Sequence, residues 1–494
     1  MRNFNAATAE EWTFILIIFL LIVAMIAAAE WIRRWFNGAT EITRKSVHIG
    51  AGALMIASPY VLHSGIPALA IALVVVTGTF LTNRRHLLQS LHATERNSYG
   101  TTFHPLSFFI LILLFWTSQI EILVMSILVL ALPDAIASVA GQAVKDPFRI
   151  PLGRESKTLE GAIAMFISTA VCLAVAFQVL DIRTELHAAV VIGAVSLFAT
   201  GWELISIRGS DNLTVPLGTA LMLHLFLSPG TVHPHDQVVA GVVLGIGIGL
   251  LSYYLHFLSI SGSIATFLLA TVVYGIGGWV WTVPILTFFI ASSLLSKYGK
   301  AKKKKLEIIF DKTDKRDSGQ VVANGGIAGL IVIASYIFPQ WDGWYFLYVA
   351  AIAAVTADTW GTEIGTLFKG RPRSIITLKH VDVGTSGGVS LVGFLGGAAG
   401  ALLVVLSAWV MDPYHVNFTI GVVLVLSGVI GSAADSLLGA TVQAQYRTPE
   451  GRITERTMIG DVPTELVRGF RWVDNDLVNL LCAMIGALTV FILL

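Results

Sequence analysis

Asp134 stands in an otherwise apolar run. A charged side chain costs about 2.5 to 3.5 kcal/mol at the centre of such a helix, so it requires a partner or a task. Ser138 and Gly141 follow at helical spacing, which puts a carboxylate, a hydroxyl and a bare patch of backbone on one face. Such a face admits a metal-bound phosphate. Downstream come Lys145, Arg149, Arg154 and Lys157, then Thr158-Leu-Glu160-Gly161 at the expected start of the next helix, where backbone N–H groups favour anions. Glu203 lies in a later helix that ends near Asp211 and Asn212. The bland alternative pairs Asp134 with a nearby Lys or Arg and makes the loop bases simple membrane anchors. That reading suits any single residue better than it suits the set.

A similar block recurs. Asp358, Thr362 and Gly365 repeat the carboxylate, hydroxyl and glycine spacing of the first block. Glu363 lies roughly 140° around an ideal helix from Asp358, so the two share a metal only if the helix breaks or a partner helix contributes. Lys369, Arg371, Arg373 and Lys379 follow, and then Gly384-Thr-Ser386-Gly387-Gly388, a glycine-rich segment suited to cradling phosphate. Asp435 and Ser436 lie inside the next apolar run, and Asp474-Asn475-Asp-Leu-Val-Asn479 precedes the last. Asp134 to Gly161 is 27 residues and Asp358 to Gly388 is 30, a hint of related designs that coincidence in glycine-rich helices also produces.

The elements that must position these residues are membrane helices. Of 494 residues, 55% are apolar and 13% charged, and mean hydropathy is +0.77; a soluble chain of this length needs far more polar surface. The net charge of +1 leaves no general basic field for nucleic acid. Cys172 and Cys482 sit inside apolar runs, which argues for packing and against a disulfide framework or a Cys metal site. Glu10 and Glu11 precede the first apolar run where a signal peptide carries bases, so that run reads as a retained helix. At about 17 to 25 residues per crossing, fewer where helices are buried in protein, the sequence predicts an all-α polytopic protein of about 16 transmembrane helices. The expected spans run from 12–29 to 475–494. With the N-terminus outside, 30 of the 32 Lys and Arg residues fall on one side, Arg2 and Arg183 being the exceptions. Basic loops stay cytoplasmic, so both polar blocks are expected to face the cytosol. The polar segment 228–236 is the expected boundary between two membrane domains, 1–232 and 233–494.

The first block resembles the dolichol kinase and phytol kinase family, which is related to the phosphatidate cytidylyltransferases. The resemblance is carried by Arg44-Lys-Ser-Val-His48, Pro133-Asp134-Ala-Ile-Ala-Ser138-Val-Ala-Gly141, Gly153-Arg154-Glu-Ser-Lys157-Thr158-Leu-Glu160-Gly161, and Glu203 followed by Asp211-Asn212-Leu. It implies a CTP-type nucleotide donor with Mg2+ and a prenyl alcohol acceptor, with Asp134 and the stretch from Lys157 to Gly161 binding nucleotide. The second block resembles the family of transmembrane protein 19 and the plant phytyl-phosphate kinase. Its motifs are Phe288-Phe-Ile-Ala-Ser-Ser-Leu-Leu295 with the lysines to Lys305, Arg316-Asp-Ser-Gly-Gln320-Val-Val-Ala-Asn324-Gly325, and Ala357 to Gly365. Val383-Gly-Thr-Ser386-Gly387-Gly388, Asp435-Ser-Leu-Leu-Gly-Ala-Thr-Val-Gln443 and Asp474 to Asn479 complete it. The lysines from Lys302 to Lys305 read first as a surface anchor.

Together the resemblances imply a natural fusion, a bifunctional isoprenoid salvage kinase. It would convert an alcohol such as phytol, geranylgeraniol or farnesol to the monophosphate and then the diphosphate, using CTP or another nucleoside triphosphate. The expected setting is a bacterial-type inner membrane, with the active sites on its cytoplasmic side. Phosphoryl transfer rests on positioning and electrostatics. The first step needs a base for a hydroxyl, from Glu160, Glu203 or Asp211, with Lys157 and Asn212 beside them. The second starts from an anion and leans on Arg371, Arg373 and Lys379, alongside Asp358, Glu363, Asp435 and Asp474. Expected metal ligands are Asp134, Asp358 and Asp435. Expected phosphate contacts are Ser138, Gly141, Arg154, Thr158 and Gly161 in the first half and Ser386, Gly387, Gly388 and Asn475 in the second. Three other readings compete. A lipid-phosphate transporter or flippase would show polar groups on both membrane faces, a cytidylyltransferase would release pyrophosphate, and in the third one half would be scaffold only.

Overall fold

In the computed structural model, the described residues are 2–35, 40–85, 98–152, 156–228, 235–298, 315–368, 371–449, 451, 453–459 and 462–494. They form two compact units, Met1–His235 and Asp236–Leu494. Unit 1 is built from α1 (Ala9–Trp35), α2 (Thr40–Val61), α3 (Ile66–Arg84), α4 (Gly100–Phe115), α5 (Ile120–Ala131) and α6 (Pro133–Ala143). A hairpin, β1 (Arg149–Pro151) with β2 (Ser156–Thr158), leads into α7 (Leu159–Val179), α8 (Ala188–Ile205) and α9 (Asp211–Leu227). Unit 2 contains α10 (His235–Tyr254, entering from the last residue of unit 1), α11 (Ile260–Tyr298), α12 (Ser318–Ile337) and α13 (Trp344–Leu367). The hairpin β3 (Arg373–Ser374) with β4 (Gly388–Val389) precedes α14 (Leu391–Met411) and α15 (Phe418–Thr441). Short strands β5 to β9, between 445 and 468, lead to α16 (Asn475–Leu493).

The chain is an all-helical, multi-pass membrane protein. Eleven described helices are long and apolar enough to cross a membrane, fewer than the sixteen spans expected. The physical reasons are specific. Both expected spans 262–279 and 281–296 are present but count once among the eleven: α11 is two helices that meet at Gly278, whose φ of 58 an L side chain rarely adopts, and the second doubles back to bring Lys297 to Leu255 O and Phe289 to Phe257. α4 and α9 have 16 and 17 residues, at the lower limit for a full crossing. α2 and α13 carry their polar site residues within the helix. Conversely, α5 and α6 make one apolar span, 120–143, interrupted where Pro133 opens α6 in the favoured first-turn position.

Each unit has one helix at its centre. In unit 1 this is α5, whose residues are almost all buried against α2, α4, α6, α7 and α9. In unit 2 it is α13, buried continuously from Tyr348 to Ala357 and packed by α11, α12, α14, α15 and α16. Side-chain caps mark the helix starts: Thr158, Asp317, Ser390, Asn417 and Asp474 each accept from the first-turn backbone, satisfying a donor that the helix itself leaves free. At α1, Thr8 and Glu11 bond reciprocally through backbone N–H groups at 2.8 and 3.2 Å. The other Glu11 oxygen accepts from His63 and Ser64 at 2.7 and 2.8 Å, so the acid before the first span ties α1 to the α2–α3 turn.

Unit 1 sorts its loops by charge. At one end Tyr99 N–H donates to Arg208 O at 3.0 Å and Lys45 to Ala135 O at 3.3 Å, gathering basic loops. At the other, Trp116 donates to His63 O at 3.2 Å and Ser228 to Gln119 at 3.1 Å, gathering segments that carry no Lys or Arg but Arg2, which bonds Pro59 O, and Arg183 in the 181–187 loop.

Candidate active sites

In unit 1, β2 delivers Lys157 to the ends of α8 and α9. Its Nζ lies 2.6 Å from Glu203 Oε1 and 3.7 Å from Asp211 Oδ2. Burial works against its charge, but Glu203 and Asp211 outweigh burial and hold its pKa above the ordinary lysine value. Asp134, in the first turn of α6, lies within electrostatic reach of Asp211, His48, Lys157 and Lys45, with His48 Nε2 at 3.9 Å. His48 also bonds Leu130 O at 3.0 Å and packs at a tilt against His104, ring centres 4.4 Å apart. Four expected residues therefore converge: Asp134, Lys157, Glu203 and Asp211. His48 and His104 join them; His48 stands in the Arg44-Lys-Ser-Val-His48 stretch that carries the resemblance, and nothing in the sequence pointed to His104.

The other expected residues of unit 1 have local work. Glu160 Oε1 accepts from Phe148 N–H at 3.0 Å, tying the hairpin down. Thr158 caps α7 by accepting from Gly161 N–H at 3.1 Å. Ser138 accepts from Gln142 at 3.2 Å. A Cβ on Gly141 would fall 2.6 Å from Thr158 Oγ1 and 3.7 Å from Gly161 Cα, so this glycine seats α6 on the start of α7. Asn212 donates to Gly209 O at 3.3 Å, and its Oδ1 is buried without a hydrogen-bond partner among the described residues. Asn212, His48 and His104 form the polar end of an apolar groove lined by Ile15, Ile22, Met55, Ala72 and Phe108 of α1 to α4. Arg154 lies outside the described residues.

Unit 2 encloses a cavity of about 1160 Å³. Asp358 and Glu363 reach it from α13, Asp435 and Ser436 from α15, Asp474 and Asn475 from the start of α16, and Arg373 with Ser386, Gly387 and Gly388 from the hairpin. Asp358 and Asp435 lie close enough to act on one another, so the partner helix that Asp358 required is α15. Glu363 is held elsewhere, accepting from Ser296 at 2.7 Å. Ser386 and Gln443 both donate to Glu455 Oε1 at 2.8 Å; Glu455 and Arg316, which also line the cavity, were not singled out as site residues. Asp474 caps α16 by accepting from Leu477 N–H at 3.0 Å. Gly387, with φ +79, passes so close to α15 that a Cβ would fall 2.3 Å from that of Ala440, and Gly388 N–H closes a turn on Thr385 O. Arg371 and Lys379 are exposed and do not line the cavity. Lys369 and the lysines at 302–305 lie outside the described residues.

Among the described residues no three His, Cys, Asp or Glu side chains form a metal cluster. Magnesium in phosphoryl-transfer sites is held by one or two carboxylates plus substrate phosphates. The Asp358–Asp435 pair fits that demand, since Asp435 Oδ2 is buried with no partner among the described residues. In unit 1 the corresponding acid is Asp134, on which Asp211 acts more strongly than His48, Lys157 or Lys45.

The two units share one device. In each, an Asp-bearing helix is followed by an antiparallel hairpin opened by an arginine, then a hydroxyl cap, then a helix with glycine in its first turn. Arg149 pairs with Thr158 and Arg373 with Val389; Ser390 accepts from Gly393 N–H at 3.1 Å as Thr158 does from Gly161. A Cβ on Gly365 would lie 3.3 Å from Gly393 Cα, repeating the Gly141–Gly161 approach. The counterpart of Gly161 is thus Gly393, where the sequence pattern pointed to Gly388.

These features define an integral membrane protein with a polar site in each unit. The family described as integral membrane protein DUF92 matches residues 243–487. A phytol kinase of Synechocystis sp. is 36% identical over 204 residues, 40% of this chain and 85% of that protein. Protein PGR of Arabidopsis thaliana is 32% identical over 232 residues, 42% of this chain and 80% of that protein. Protein VTE6, chloroplastic, of the same plant is 23% identical over 242 residues, 48% of this chain and 65% of that protein. No solved structure matches. The chain belongs to the phytol kinase-related family of integral membrane proteins.

Proposed function

We propose that the chain is a prenyl alcohol kinase of the membrane, in which unit 1 makes the monophosphate and unit 2 adds a second phosphate, each from CTP or another nucleoside triphosphate. The observation that carries this reading is Lys157, held between Glu203 and Asp211 within reach of Asp134, beside an apolar groove that ends in polar groups. The similarity to a phytol kinase supports the acceptor class.

In unit 1 the prenyl tail lies along α1 to α4 and the hydroxyl meets His48, His104 and Asn212, of which His104 Nε2 and Asn212 Oδ1 are buried with no partner among the described residues. Asp211, next to Asn212, takes the hydroxyl proton; Glu203 is committed to Lys157 and Glu160 to the hairpin. The alcohol oxygen attacks the terminal phosphorus, the bond to the bridging oxygen breaks, and the nucleoside diphosphate departs. Lys157 neutralises charge that builds on the transferring group. In unit 2 the acceptor is already an anion, so Arg373 and Arg316 offset charge while the carboxylates orient the donor. Mg2+, arriving with the triphosphate, supplies charge neutralisation across the donor phosphates and would be held by Asp134 in unit 1 and by Asp358 with Asp435 in unit 2.

Full-length protein in lipid discs, given CTP labelled in its terminal phosphate and phytol, is expected to yield labelled monophosphate, then diphosphate, with CDP released. Asp134→Asn should lose the monophosphate, and Asp358→Asn should accumulate it. Release of pyrophosphate, or unchanged products in both variants, would falsify the assignment.

A further inference from the structure

A second apolar groove, in unit 2, runs between α10, α11 and α12 and is lined by Ile248, Leu269, Ala270, Val273, Ile285 and Phe289. Arg316, Gln320 and Asn324 line it too, and the same three side chains line the polar cavity. They are the junction between the two spaces. We infer that this junction grips the phosphate of a prenyl monophosphate, with the first isoprene unit of its tail in the groove and the rest in lipid.

Three observations carry it. Arg316 is half-buried, its guanidinium lies over the Phe288 ring at 5.8 Å, and no carboxylate among the described residues pairs with it. Burial pulls its pKa down to about 10, so an anion is what the site lacks, and a guanidinium fork matches phosphate. Gln320 Oε1 is buried with no partner among the described residues; a half-turn of the amide presents its N–H2 to a phosphate oxygen instead. The groove has a cavity volume of about 60 Å³, too small for a whole tail. Charge at one end and hydrocarbon at the other describe a single-tailed lipid phosphate. The side facing the cavity leaves that phosphate open toward Asp358 and Asp435.

This rests on the reading of unit 2 as the prenyl phosphate kinase, and the test separates the two. Phytyl monophosphate carrying a diazirine on its first isoprene unit is added to full-length protein without nucleotide, irradiated, and the labelled peptides are sequenced. Labelling is expected on α11 and α12, reduced at least tenfold by Ala270→Phe, which fills the groove from a half-buried position, and by Arg316→Gln. With CTP present, both variants should raise KM for phytyl and farnesyl monophosphate alike, about tenfold, while phosphorylation of phytol by unit 1 continues and an unaltered midpoint in thermal unfolding reports an intact unit 2. Labels on other helices, or unchanged labelling in both variants, overturn the groove assignment. Correct labelling with no diphosphate from wild-type protein leaves the groove standing and overturns the kinase reading of unit 2.

Discussion

Lys157 binds two carboxylates at once, and this sets its sensitivity. Lys157→Met removes the shared counter-charge and leaves Glu203 and Asp211 facing each other in a half-buried site. Loss of a preorganised charge of this kind lowers turnover by about 10²- to 10³-fold, and breaking a buried pair costs about 3 kcal/mol or more in stability. Product assays with phytol and thermal unfolding in detergent check both; wild-type rates would remove Lys157 from the site. Because its pKa is raised, the ammonium is charged at every pH below its ordinary value of about 10.4. Its stabilising contribution is complete there and fades only as pH rises through the folded value. Monophosphate formation is therefore expected to show no Lys157 ionisation between about pH 6 and 9, and a basic limb in that window would argue that another group carries the charge. In unit 2 the contact between Asp358 and Asp435 makes the two acids one functional group. Asp435→Asn is expected to match Asp358→Asn, building up monophosphate while unit 1 works on; normal diphosphate yield would separate them.

At the scale of elements, glycines let pairs of helices meet backbone to backbone. A Cβ on Gly397 would come 2.7 Å from Ala357 O, one residue before Asp358, so Gly397→Leu must push α14 from α13 and carry Asp358 with it. Overpacking of this sort costs about 1 to 3 kcal/mol, read as a lower midpoint in thermal unfolding together with weakened diphosphate formation. An unaltered midpoint would mean that the seam tolerates bulk. The spacing of Gly141 from Asp134 and of Gly365 from Asp358 was visible in the sequence, but as a phosphate approach; in the fold the same bare backbone accepts the next helix. Hydropathy located the apolar helices because burial in lipid is written into composition along the chain. The break at Gly278 falls where the expected spans 262–279 and 281–296 divide, but the meeting of Asp358 with Asp435 and the diversion of Glu160 to Phe148 N–H were not legible. Each depends on which faces of distant helices touch, and one chain's periodicity does not encode that. Arg371 and Lys379 counted as bases near an acid by sequence distance, yet the hairpin turns them outward and keeps Arg373.

At the scale of the whole molecule, charge sorting in the loops predicts which way the chain sits. Loops at opposite ends of α7 offer a check: Asp146→Cys in the basic hairpin loop and Arg183→Cys in the far loop, both exposed. A membrane-impermeant maleimide applied to intact cells is expected to label Arg183→Cys alone; the reverse pattern would put the polar site of unit 1 outside. Native Cys482 is buried and Cys172 half-buried within α7, which keeps background labelling low.

The narrowness of the unit 2 groove has a consequence for how such an enzyme samples its substrate. If only the first isoprene unit is enclosed, most of the tail's favourable transfer, about 0.8 kcal/mol per CH2, is realised by dissolving in the bilayer and not by binding protein. Selectivity for long isoprenoids then comes from partitioning. Rate should track the mole fraction of substrate among surrounding lipids, falling as inert phospholipid is added at fixed bulk concentration, and very short isoprenoids should fail by escaping to water.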